Sequence, residues 1–190
     1  LLTLATELAK FIEVRFKHEF GCPRPHEYSP QVQPMIPTPL HGAFPMGHMC
    51  EAVVVAHLLS YVTATSKSTA TSSTNEQLRR LAWRIGENRI VAGVHFPVDL
   101  LGGLALGDWV GRYLLACAGV AGQFQSKALT FDAGNAKETD VRKNYMDGKQ
   151  IADDSADAAP GIQPIPWVKW LVDNAVKEWQ WVKTVPTAQS

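Results

Sequence analysis

The chain has 190 residues, 46% hydrophobic and 19% charged, and its 18 basic and 18 acidic side chains cancel. That size supports one soluble domain with its own core. The charge balance argues against nucleic acid as a partner. Three cysteines at unpatterned spacing argue against a disulfide framework. Cys22, His26, His48 and Cys50 lack the paired spacings of a zinc site.

In chain order, Leu1 to Phe16 predicts a helix, with Leu4, Leu8, Phe11 and Ile12 at helical spacing and Lys17 at its end. Seven prolines between residues 21 and 45 exclude a regular helix there and predict a long functional loop. A helix starts near Gly47-His48 and runs to about Thr65. It is apolar almost all round, which places it centrally in the core. Ser66 to Thr74 reads as a surface loop, with Asn75 capping the next helix. Asp99 is placed as the cap of a helix running to about Ala118.

Ala52 to Val62 is too short to cross a bilayer. Leu100 to Gly122 carries Asp108 and Arg112 four residues apart, which suits a buried helix in a bundle; no membrane span is expected. Residues 123–165 turn polar, with acidic Asp153, Asp154 and Asp157, and read as a lid or surface excursion. A tryptophan-rich helix follows from Pro166, expected to pack on the core or on a second subunit, so a homo-oligomer is open. No strand alternation is found and the class is all-α. Residues 1–190 thus read as one helical catalytic domain: a core over 1–122, the excursion over 123–165, and a C-terminal helix and tail over 166–190. The chain begins at Leu1 rather than Met and is read as the C-terminal part of a longer one. No signal peptide is visible, and a periplasmic or secreted location stays open.

Three clusters carry the chemistry: Lys17 with Arg24-Pro25; Pro45-Met46-Gly47-His48; and Arg89 with His95 and Asp99. Gly47 and His48 stand at a predicted helix start, whose free amides and dipole form an anion site. Lys17, Arg24 and Arg89 would neutralise the oxygens of a tetrahedral or trigonal-bipyramidal oxyanion. Asp99 would hold one ring nitrogen of His95 and raise the basicity of the other. His95 then suits nucleophilic attack on phosphorus or ligation of a metal oxyanion, while His48 could move protons.

The pattern Lys-x6-Arg-Pro, Pro-x-Gly-His, Arg-x5-His-x3-Asp resembles the superfamily joining type 2 phosphatidic acid phosphatases, bacterial acid phosphatases and vanadium-dependent haloperoxidases. It covers residues 17–99. The resemblance implies a helical bundle that binds vanadate, or phosphate in the same site, through Lys17, Arg24, Gly47 and Arg89. It makes His95 the vanadium ligand or phosphorus nucleophile, and His48 the acid–base residue. His41, seven residues before His48, is similar to an extra histidine of algal bromoperoxidases. It would tune proton delivery or halide oxidation. Met46 stands at an oxyanion-binding position where the family usually has serine, which implies weaker anion affinity.

The expected function is oxidation of bromide or iodide by hydrogen peroxide, with a small organic acceptor halogenated. The alternatives are a phosphomonoesterase acting through a phosphohistidine at His95, and a catalytically weakened relative because of Met46.

Overall fold

A computed structural model describes residues 1–64, 69–120, 132, 136–149, 151 and 162–184, with backbone alone for 69–72. The elements are α1 (Leu2–Phe20), α2 (Pro25–Tyr28), α3 (Gly47–Thr63), α4 (Thr69–Val91), α5 (Pro97–Cys117), α6 (Glu138–Met146) and α7 (Pro166–Thr184). The all-α class holds, with no strand among the described residues. None of the described helices is long and apolar enough to cross a membrane.

The continuous apolar surface of α3 places it centrally, against α1, α4 and α5. Its contact with α5 is close because Gly103, Gly107 and Gly111 repeat every four residues on one face of α5. A Cβ on Gly107 would stand 2.7 Å from Cys50 O and 2.9 Å from Val53 Cβ. One on Gly111 would stand 2.7 Å from His57 Cδ2. Residues 99–108 of α5 are all buried, so the middle of this helix is core on every side.

Several expectations change. The first helix buries Ala5, Ala9, Glu13 and Lys17, a stripe of every fourth residue, while Phe11 of the expected apolar face is exposed. Small alanines let α1 approach the bundle, and the same stripe then carries two charges inward. The helix also runs past Phe16 and closes at Gly21, whose left-handed backbone (φ 55°) lets its amide donate to Lys17 O at 3.0 Å. Within the proline-rich loop, one helical turn does form at α2. Pro25 stands at its first position, where no amide is needed.

The helix expected to start at Asn75 starts at Thr69, so Asn75 lies inside it rather than capping it; residues 65–68 lie outside the described residues. Asp99 is not the cap residue of α5 but sits three residues inside. There its carboxylate accepts the Phe96 amide at 2.8 Å.

Of the stretch 123–165, α6 is no free excursion. Val141 and Tyr145 are buried with Trp83 and Met49 in the largest apolar cluster. Asp153, Asp154 and Asp157 lie outside the described residues. The last helix rests Val168 and Val172 on Cys117 and Ala118, whereas Trp167, Trp170 and Trp181 are exposed and do not fill the core.

The glycine stripe is testable. Gly107→Ala should lower stability by about 1–3 kcal/mol through overpacking against Cys50 and Val53, read as a lower denaturation midpoint. An unchanged midpoint would mean that α5 does not lie this close to α3.

Candidate active site

Two helix starts meet at the site. The Met46 amide, just before α3, donates to Asp99 O in the first turn of α5 at 2.9 Å. Around this junction the chain gathers its buried cations. Lys17 is 1% exposed, and its Nζ donates to Gly42 O at 3.3 Å and Ala43 O at 3.2 Å. Burial pulls its pKa below the ordinary lysine value, and Glu13 opposes that pull.

Arg24 is as deeply buried. It donates from Nη1 to Val94 O at 2.8 Å, from Nε to His41 O at 3.1 Å and from Nη2 to Gly42 O at 3.4 Å. Its Nη1 also lies 3.4 Å from His95 Nε2. A guanidinium has no lone pair to offer, so this contact favours an unprotonated Nε2 on His95. The proton then sits on Nδ1 and points to Asp99 Oδ2 at 3.2 Å. The same Oδ2 is held by the Phe96 amide. Asp99 therefore sets both the ring orientation and the tautomer. Burial pulls the His95 pKa below the ordinary histidine value, while Asp99 pushes it up. The net result is a neutral imidazole with its Nε2 lone pair at the cation cluster.

Arg89 comes from the end of α4, and its Nε is buried with no hydrogen-bond partner among the described residues. Its charge reaches both Arg24 and His48. His48 stands in the first turn of α3 and keeps access to solvent. Partial desolvation, followed by the charges of Arg89, Lys17 and Arg24, holds its pKa below normal. His41 is exposed, yet its Nδ1 lies 3.4 Å from Arg24 Nη2 and 3.3 Å from Gly42 O. A third imidazole thus borders the cluster. Burial, then Lys17 and Arg24, disfavour its protonation, against a hydrogen bond with Gly42.

Two residues change the picture drawn from sequence. Met46 is wholly buried and its side chain joins the apolar core, while its backbone ties α3 to α5. Glu13, which the sequence motifs leave out, is 4% exposed and 3.5 Å from Lys17 Nζ. Its carboxylate lies against Gly47: a Cβ there would meet Glu13 Cδ at 2.6 Å. Its Oε2 has no hydrogen-bond partner, and burial raises its pKa above the ordinary carboxylate value. Spacing of four from Lys17 was the only sequence signal for it.

Lys17, Arg24, His95, Asp99 and His41 are thus in direct mutual contact or share loop carbonyls, with Arg89, Gly47 and His48 beside them. The orphaned Arg89 Nε, the free amides at the head of α3 and the Nε2 lone pair fit a tetrahedral oxyanion. Residues 1–122 match the family model described as the PAP2 superfamily. The chain belongs to the PAP2 superfamily. This superfamily includes phosphatases and haloperoxidases and is generally enzymatic, in keeping with the helical fold seen here. No curated protein matches the chain. Glu13 is thus a buried negative charge that lies against Gly47 and beside Lys17, among the clustered cations.

Two predictions follow from this geometry. Asp99→Asn should cut turnover about 10- to 100-fold, because an amide cannot hold the same His95 tautomer as strongly; turnover equal to the parent would remove Asp99 from the site. Glu13→Gln should tighten sulfate binding about tenfold by deleting a charge beside the anion. Sulfate does not titrate near neutrality, so its affinity reports the protein's groups alone. For the parent, affinity should rise as pH falls through the raised Glu13 pKa, and that part of the pH dependence should vanish in the variant. Weaker sulfate binding in Glu13→Gln would instead assign Glu13 to keeping Lys17 charged.

Proposed function

We propose that this protein is a vanadate-dependent haloperoxidase that oxidises bromide or iodide with hydrogen peroxide and halogenates a small organic acceptor. The observation that carries the reading is the neutral His95 ring. Its Nδ1 is bound to Asp99 and its Nε2 faces Arg24 inside a set of three cations. Vanadate bound there would supply a Lewis acid that activates peroxide without a change of oxidation state. The chain's own residues do the rest. His95 Nε2 would hold the vanadium, and Lys17, Arg24, Arg89 and the Gly47 amide would carry the charge of the oxygens.

His48 would take the peroxide proton. Partial burial, and then the positive charges around it, favour its neutral imidazole, the form that a base requires. His41 adds a second neutral imidazole at the edge, next to Arg24, where it would assist proton delivery. Both features suit proton removal from peroxide better than protonation of an ester leaving group. That is the ground for placing oxidation before hydrolysis.

A second reading, phosphomonoesterase, is favoured by the same Nε2 lone pair. It could attack phosphorus to form a phosphohistidine, and His48 would then have to gain a proton before the alcohol leaves. Burial of Met46 in the core leaves the anion without a side-chain hydroxyl from that position, so a weakened affinity is expected under either reading.

Purified protein assayed with bromide and hydrogen peroxide should brominate a phenol-type indicator only after orthovanadate is added. His95→Ala should abolish that activity, with the fold intact by circular dichroism. Hydrolysis of an aryl phosphate without vanadate, and no bromination with it, would overturn the first reading in favour of the second. Activity in neither assay would point to a relative that has lost catalysis.

A further inference from the structure

Nine residues beyond His48 on α3 stands His57, and nine beyond Asp99 on α5 stands Asp108. With the rise of an α-helix, each lies about 13 Å along its helix from the first site. Between α3, α4, α5 and α6 they border a separate cavity of about 210 Å³, walled also by Ser60, Arg79, Arg112 and Tyr145. That volume holds a small inorganic ion with its water but no large organic ligand.

The only carboxylate on this wall with deep burial is already used. Asp108 takes His57 Nε2 at 2.8 Å on one oxygen, and Arg112 Nε at 3.0 Å and the Ile151 amide at 3.3 Å on the other. These partners hold its pKa below the ordinary carboxylate range despite the opposing effect of burial. Lys149 pairs with Asp147 at 3.7 Å and is largely exposed.

What remains is donor capacity. The Tyr145 hydroxyl is buried with no hydrogen-bond partner among the described residues, on a residue 3% exposed. Burial pushes its pKa up, so it stays a phenol. Arg79 uses its Nε on Met146 O at 3.1 Å. Gly148, in the left-handed region at φ 71°, leaves room for the Arg79 fork, whose Nη1 would lie 3.5 Å from a Cβ there. A buried donor without an acceptor is costly, and the two guanidinium groups that line the same cavity repel cations. Among the described residues the lining is mainly polar and charged, with Ala56 its one aliphatic side chain, which disfavours a wholly apolar ligand.

We propose that this cavity is a second binding site for a small oxoanion, separate from the one at His95 and held by Arg79, Arg112 and the Tyr145 hydroxyl. The site closes the hydrogen-bond deficit of Tyr145 and matches two planar forks to a tetrahedral anion. Because four helices contribute to it, occupancy would fasten α6 to the α3–α5 core. It does not depend on the reaction assigned to the first site.

The test uses the full chain and inorganic anions. Crystals soaked in tungstate should show anomalous density within hydrogen-bond reach of Arg79, Arg112 and the Tyr145 hydroxyl, as well as any density at Lys17 and Arg24. Calorimetric titration with orthophosphate should show two binding events. Arg79→Gln and, separately, Tyr145→Phe should each weaken one event about tenfold or more and leave the other unchanged. Tyr145→Phe deletes one oxygen and keeps the ring in the core, so it serves if Arg79→Gln misfolds. A single event weakened by Tyr145→Phe would still support this site and count against anion binding at the first; no event weakened by either substitution, or anomalous density confined to the Lys17–Arg24 region, would overturn the proposal.

Discussion

The buried guanidinium of Arg24 is the constraint on which the site depends. It joins the carbonyls of His41 and Gly42, in the loop before α3, to the carbonyl of Val94, in the turn before α5, and touches His95. A charge taken so far out of water is costly unless its donors are met. Here backbone carbonyls from two distant segments meet them, so the cation and both segments must be placed together. The proline-rich loop has no ladder of its own. It is pinned by the same logic at single points, Ala43 N to Cys22 O at 2.8 Å and Met35 N to Ala92 O at 3.0 Å. The positive field is therefore in place before any anion arrives, which is the condition for electrostatic preorganisation.

Rigid placement of the imidazoles comes from the glycine face of α5 on α3. Close approach of the two axes puts their first turns side by side, and the Met46 amide locks them to Asp99 O. The two positive helix ends then have different fates. At the start of α5, Asp99 absorbs the free Phe96 amide and so becomes a fixed support for His95. At the start of α3, the buried Glu13 carboxylate lies against Gly47 without a hydrogen bond to its Oε2. One helix end is satisfied by a side chain and serves orientation; the other keeps binding capacity. The same two helices frame the second cavity lower down, where Asp108 is consumed by partners and the spare capacity is donor only.

Sequence reasoning succeeded where hydrophobic periodicity and backbone chemistry agree. The central α3 was legible from its unbroken apolar surface and the end of α5 near Ala118 was placed correctly, whereas its start was set at Asp99, three residues beyond the true cap at Phe96. It misplaced the buried face of α1 because charged Glu13 and Lys17 ordinarily turn to water, whereas here each is the other's counterion beside a site that needs charge inside. The early start of α4 was missed because Ser and Thr are weak helix formers, although the backbone is helical from Thr69. For α6 the polar composition hid two anchors, Val141 and Tyr145, one helical turn apart.

What the amino-acid sequence alone determined is the chemical inventory: three cations, paired histidines and a carboxylate in motif order over residues 17–99, on helices whose apolar periods force an all-α bundle. Tertiary structure alone decided how that inventory is used. It turned Met46 into the core, set Glu13 against Gly47, left the Arg89 Nε without a partner and fixed which nitrogen of His95 is bare. The physical reason is that residue type and spacing specify what a side chain can bond, whereas its partner here is a carbonyl, amide or charge tens of residues away. Only the packing of α1, α3 and α5 brings that partner within about 3 Å.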